Sequence, residues 1–168
     1  YALDSGCASR VAVVDFDVHH GNGTQHLFYD RSDVLYISLH RYPFYPGTGS
    51  DLETGEGDGK GHTINIPLAA GDGDDIIIAR FEEAVIPAID AFRPDLMFVS
   101  AGFDAYCLDP LGGLCVTGAG YLRLGELLRD SADQHCHGRM VSVLEGGYSE
   151  RGNLESIAQY LNGIGNPQ

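Results

Sequence analysis

Apolar residues along this chain fall into short runs separated by longer stretches with helical spacing. Val11–Phe16 (VAVVDF), Val34–Leu39 (VLYISL), Thr63–Ile66 (TINI), Leu96–Ser100 (LMFVS) and Met140–Leu144 (MVSVL) are brief and mostly rich in β-branched residues. That combination predicts five buried strands rather than helices. Asp74–Phe92 carries a helical pattern, opened by Asp74 and Asp75 as capping-type residues and closed before Pro94. Pro87 lies inside it, where a missing N–H predicts a kink. Gly120–Gln134 and Asn153–Leu161 read as further helices. Strands that are apolar on both faces and alternate with helices predict an α/β fold, a mostly parallel sheet with helices on both faces. The segment Arg41–His62 breaks the pattern, with eight glycines or prolines and no periodicity. Loops of that length in compact domains are usually functional or disordered.

Composition narrows the reading. A chain of 168 residues, 43% hydrophobic and 20% charged, reads as a single globular domain able to bury a sizeable core. Its formal charge of −14 excludes direct nucleic-acid binding, which needs clustered Lys and Arg. The same charge fits a cationic substrate, and equally an ordinary acidic soluble protein. No apolar run approaches the roughly 20 residues of a membrane span, so no membrane partner is expected. Cys7, Cys107, Cys115 and Cys136 form no CxxC pair, which points to reduced thiols and a cytoplasmic location. His135, Cys136 and His137 are adjacent; neighbours in sequence rarely converge on one metal, so they read as a solvated helix end. The chain opens on Tyr1 and reaches an interior strand after ten residues. The expectation is one domain over 1–168 that is the C-terminal part of a longer catalytic domain, incomplete on its N-terminal side.

In open α/β sheets, ligands gather outside the carboxyl ends of the strands. Here the first strand runs into Asp15, Asp17 and His19, and the second into Ser38 and His40. The fourth leads to Asp104, and the fifth to Tyr148. On extended backbone alternate side chains share a face, so Asp15, Asp17 and His19 should project together. Burying two carboxylates calls for a cation or several donors. Asp17, His19 and Asp104 around a divalent metal would leave a position open for water, as in catalytic rather than structural sites. The competing reading is that these residues merely hydrogen-bond loop backbone at a sheet edge.

The motifs DFDVHHGNGTQ, SLHRYPFYPGTG, GKGHTINIPL, VSAGFDA, DPLGG and LEGGYS resemble, in that order, those of the zinc-dependent histone deacetylase family. HHGNG is similar to its class II and bacterial deacetylase-like branch. The resemblance implies an arginase/deacetylase-like fold and the hydrolysis of N-acetyl amide bonds, most simply on acetyl-lysine. It makes Asp17, His19 and Asp104 zinc ligands, with Fe2+ a possible substitute. It makes Tyr148 the hydroxyl that polarises the substrate carbonyl, and Asp15 the partner of a catalytic histidine. Asp15, Asp17, His19, Ser38 and Leu39 would hold a structural potassium ion. Tyr45, Leu111 and Gly147 would line the substrate passage, and Asn22 would support the second member of a histidine pair. Leu111 is not acidic, which favours acyl-lysine over acetylpolyamines.

The family's general base is a tandem histidine pair lying before the DxDxH strand, and Tyr1–Arg10 holds no histidine. His19 is committed to metal and His20 should point to the opposite face. The chain alone is therefore expected to be weak or inactive, and its apolar edge to favour a homo-oligomer. Alternatives are an acetylpolyamine or other small-amide deacetylase, or a non-catalytic metal-binding remnant. An arginase-like ureohydrolase needs a two-metal, aspartate-rich set that this chain does not offer.

Overall fold

The computed structural model describes residues 1–165. Five strands, β1 (Val11–Asp15), β2 (Val34–Arg41), β3 (Thr63–Leu68), β4 (Leu96–Ala101) and β5 (Met140–Leu144), form one sheet in the order β3-β2-β1-β4-β5. Every pairing is parallel. The chain steps outward from β1 to β2 and β3, then crosses to the other side of β1 for β4 and β5. The order thus reverses beside β1, and the crevice at the carboxyl ends of β1 and β4 is a topological switch point.

Alternation along the strands sorts the core. Ala12, Val14, Leu35, Ile37, Met97 and Val99 point to one face. They pack there under α2 (Asp74–Arg80), α3 (Ile86–Phe92), α4 (Gly118–Cys136) and α5 (Glu150–Gly165). Val11, Val13, Val34 and Tyr36 point the other way, covered by Leu3 and by Phe28 of α1 (Asn22–Phe28). Phe16, Phe103, Tyr121 and Tyr160 meet edge-on or tilted, 5.2–6.2 Å between centroids, in an aromatic layer on the helical side of the core. At the sheet edge, Val141 and Val143 of β5 are about half exposed.

The expected strands are all present. The expected helix over 74–92 runs as α2, a π-helical turn at Phe81–Val85, and α3. Pro87 explains the turn. It cannot donate to the carbonyl four residues back, and widening the preceding turn accommodates the ring. Asp74 accepts from the Thr117 N–H and hydroxyl at 2.8 and 2.6 Å, tying α2 to the start of α4. The helix α1 was not expected. Cys136 also departs from expectation: it is buried and donates to the Pro94 carbonyl, whereas His135 pairs with Asp90 at 2.6 Å. No helix among the described residues is long and apolar enough to cross a membrane.

Candidate metal centre

The strand β1 stops at Asp15, so the expectation of three side chains alternating along extended backbone is corrected by the turn that follows. Asp15 Oδ1 accepts the Asp17 N–H at 3.1 Å, and Asp17 Oδ1 accepts the His19 N–H at 2.8 Å. Two successive aspartate-capped turns fold the chain over the end of the sheet. Asp104, three residues beyond β4, is brought alongside, its Oδ1 accepting the Val18 N–H at 2.9 Å. One ligand atom each from Asp17, His19 and Asp104 lie within 4.8 Å of one another. The group sits at the switch point between β1 and β4.

The donor set fits a cation. His19 Nδ1 lies 3.1 Å from Asp17 Oδ1 and 3.2 Å from Asp104 Oδ2. The second contact is an ion pair by distance but not a hydrogen bond by direction, and Asp104 Oδ2 is buried without a hydrogen bond among the described residues. Asp104 first and Asp17 second push the His19 imidazole up to about 9. Burial raises the Asp104 carboxyl, despite His19, with Asp17 adding to the rise. Burial also acts upward on Asp17, but hydrogen bonds from His19 and from the Gly146 N–H (2.8 Å) outweigh it and hold that carboxyl below its usual range. Each carboxylate is anchored by backbone N–H donors. Asp104 keeps one oxygen uncommitted.

Asp15 is buried and pushed up to about 8, mainly by burial and then by the Asp17 charge. Besides the Asp17 N–H, its carboxylate accepts from the Tyr36 hydroxyl at 3.0 Å. Ser38 is its register partner on β2, with Leu39 next in line. Tyr148 follows β5 and is half exposed, its N–H donating to Asp109 Oδ2 at 2.8 Å. Its hydroxyl is raised by burial first and then by the Asp104, Asp17 and Asp109 charges. Gly147, which precedes Tyr148 in the chain, holds a positive φ of 146°. Tyr45 meets His19 edge-on at 6.1 Å, and Leu111 lies exposed on the loop that carries Asp109. Asn22 opens α1 and lines a cavity of about 430 Å³ with Gln25, His26, Tyr29, Thr48 and Glu53.

Two groups were not foreseen. Phe44 stacks face-on over His19 (5.4 Å, 15°), and Arg41 lies over Phe44 at 4.2 Å while donating to the Gly112 carbonyl. His20 and His40 form the second. His20 turns away from the acidic pair and contacts Thr48 Oγ1 and Gln25 Oε1 at 2.8 and 2.9 Å. Its ring is lowered by burial. His40 donates from Nε2 to the Gly49 carbonyl at 2.9 Å, so its Nδ1 accepts from the Ser38 hydroxyl. Burial pushes His40 down to about 4 from 6.5. Because the folded value is the lower one, the unfolded chain binds this proton first on acidification. The stability His40 contributes is complete above about 6.5 and is lost as pH falls through about 4. An NMR titration should find the His40 ring resonances flat from about pH 8 to 5; a midpoint near the ordinary histidine value of about 6.5 would refute the buried neutral assignment.

Residues 1–164 match the histone deacetylase domain family. The chain belongs to that family. Histone deacetylase 10, chloroplastic, of Oryza sativa subsp. japonica is 45% identical over 158 residues, which are 94% of this chain and 35% of that protein. The histone deacetylase-like amidohydrolase of Pseudomonas aeruginosa is 46% identical over 142 residues, 84% of this chain and 37% of that protein. The structure of the histone deacetylase Clr3 superposes with a TM-score of 0.91 at 42% identity, covering 99% of this chain and 29% of that one. The chain thus spans little more than a third of either sequence relative. Its all-parallel sheet is part of the deacetylase fold, and its Asp17–His19–Asp104 group is consistent with that family's zinc site.

Proposed function

We propose that this chain contributes the metal half of a deacetylase that hydrolyses N-acetyl amides, acetyl-lysine foremost. The observation that carries the reading is the convergence of Asp17, His19 and Asp104 at the switch point, with Tyr148 following the neighbouring strand β5. Zinc, or Fe2+, would be held by those three residues and would supply Lewis-acid polarisation of the amide carbonyl and an activated water. The chain's own residues do the rest. Gly146 and Val18 fix the two carboxylates through their N–H groups. Tyr148 donates its hydroxyl proton in a hydrogen bond to the carbonyl oxygen as negative charge develops there. Phe44 and Tyr45 border His19 as apolar walls for an acyl chain, with Leu111 and Gly147 near the rim. A potassium ion at Asp15, Asp17, His19, Ser38 and Leu39 would offset the burial of the Asp15 carboxylate.

Among the described residues, His20 and His40 are both engaged in hydrogen bonds away from the metal ligands, so neither is placed to act as the general base. Losing such a base costs about 10²–10⁴ in rate. The expected result is slow, chelator-sensitive release of acetate from an acetyl-lysine peptide by this chain. Tyr148→Phe should lower kcat a further ~10²–10³ with little change in KM. Fast turnover by the 168-residue chain would refute the missing-base reading. Tyr148→Phe at the wild-type rate would remove that residue from the chemistry. Preference for an acetylated diamine over the peptide would move the substrate class.

A further inference from the structure

Arg41 is the last residue of β2, and its own N–H donates to the Val18 carbonyl at 2.9 Å. Its side chain therefore starts beside the loop that carries Asp17 and His19. From there the guanidinium makes two contacts. Its carbon lies over the Phe44 ring, 4.2 Å from the centre, and Phe44 in turn stacks on His19. Its Nη1 donates to the Gly112 carbonyl at 3.2 Å. A planar guanidinium can lie over a ring and still donate within its own plane, which an ammonium cannot. Charge balance does not explain the residue. Acids outnumber Lys and Arg by 24 to 10, yet Arg41 forms no ion pair among the described residues.

The two contacts join separate parts of the site. Phe44 and Tyr45 come from the loop after β2 and border His19. Gly112 belongs to a turn built on Asp109. The Asp109 Oδ1 accepts the Leu111 and Gly112 N–H groups at 2.8 and 3.0 Å, and its Oδ2 accepts the Tyr148 N–H. Among the described residues, no other hydrogen bond joins residues 41–62 to residues 109–113. Gly113 leaves the space for this one. Its φ is +69°, and a Cβ there would come within 2.6 Å of Arg41 Nη1 and 3.4 Å of Cζ.

We propose that Arg41 is a positioning residue of the substrate passage, clamping the Phe44–Tyr45 wall to the 109–113 rim at one spacing. The candidate metal ligands have anchors of their own, the Val18 and Gly146 N–H groups. The clamp therefore acts on the passage and not on the metal. A passage held at one width before binding takes up a narrow, unbranched acyl-lysine stem with little further ordering of its loops. That role rests on the deacetylase reading above, whereas the clamp itself does not.

The test compares the zinc-loaded wild-type chain with Arg41→Met, which keeps the stem and removes the fork, and Arg41→Lys, which keeps the charge. Hydrogen–deuterium exchange reads the clamp without turnover. In Arg41→Met, residues 42–48 and 109–113 should exchange at least ~5-fold faster, while β1 and β4 exchange as in the wild type. Arg41→Lys should fall between the two, since one ammonium cannot hold both contacts. Zinc affinity should stay within ~3-fold in both variants, unlike the loss expected when a ligand is removed. Calorimetry should find an acetyl-lysine peptide bound ~10-fold more weakly by Arg41→Met. Its KM should rise in step with kcat within ~3-fold, as when binding common to ground and transition states is lost. Faster exchange in only one of the two segments, or equal acceleration in β1 and β4, would overturn the clamp. Arg41→Lys at the wild-type level would overturn the requirement for a planar fork. Unchanged peptide affinity, or a fall in kcat at constant KM, would overturn the passage role. A wild type that binds the peptide but never releases acetate would sink the deacetylase reading, with exchange and peptide affinity still deciding the clamp.

Discussion

One equivalent of zinc should bind the wild-type chain, and Asp104→Ala should weaken that binding by more than ~100-fold. The magnitude follows from what Asp104 does. Its Oδ1 is spent on the Val18 N–H, and its buried Oδ2 accepts no hydrogen bond among the described residues and faces the His19 ring, so the second oxygen is held ready for a cation. Loss of an outer-layer partner alone typically costs about 10–100-fold in metal affinity, and loss of a direct ligand costs more. Binding is also read without activity. At a free zinc concentration ~100 times its Kd, a ligand that binds only the folded state adds about 2.7 kcal/mol of stability. For a domain of this size that is a rise in Tm of roughly 5–10 °C. The rise should appear in the wild type, vanish with a chelator, and be absent from Asp104→Ala. Equal zinc-induced shifts in both proteins would sink the assignment of Asp104 as a ligand, and a stoichiometry near zero would sink the site.

The strands and the cluster of candidate ligands were legible in the sequence for one reason: both are written in local pattern. Short β-branched runs specify the five strands, and the residues that end them fall at the carboxyl edge wherever a parallel sheet places it. Asp17, His19 and Asp104 could be named because that rule needs no knowledge of loops. What local pattern does not carry was missed. The helix α1 is NGTQHLF, seven residues with two prominent apolar side chains, and it lies over β2 with Phe28 in the core. Its packing rather than its propensity makes it a helix. Phe44 over His19, and His20 and His40 beneath the glycine-rich loop, depend on where residues 41–62 return in space. A loop without periodicity encodes none of that. The glycines around the ligands were equally silent, although Gly102, Gly112 and Gly146 each leave room that a Cβ would take from Asp17 or Asp104.

Those glycines separate the metal centre from the fold that supports it. A Cβ at Gly146 would run into Asp104 Oδ2 and come within 2.6 Å of Asp17 Oδ2. Both obstacles are ligand side chains, so Gly146→Ala should displace the carboxylates, weaken zinc at least ~10-fold, and cost the metal-free protein about 1–3 kcal/mol. At Gly112 the obstacle is the Asp104 backbone carbonyl. Backbone on both sides cannot yield as a side chain can, so Gly112→Ala should be the more destabilising change, at the upper end of that range, ~3 kcal/mol or beyond. Gly23 supplies the control. Nothing lies within 4 Å of its Cβ position, and it sits in α1, where alanine is favoured over glycine by roughly 0.5–1 kcal/mol. Gly23→Ala should therefore stabilise the chain and leave zinc binding unchanged. Urea unfolding with and without zinc reads all three. The ordering is the discriminating result: if Gly146→Ala loses stability but keeps wild-type zinc affinity, the glycine is packing the fold rather than making room for the ligands, and the close approach of β5 to the metal centre has no chemical purpose.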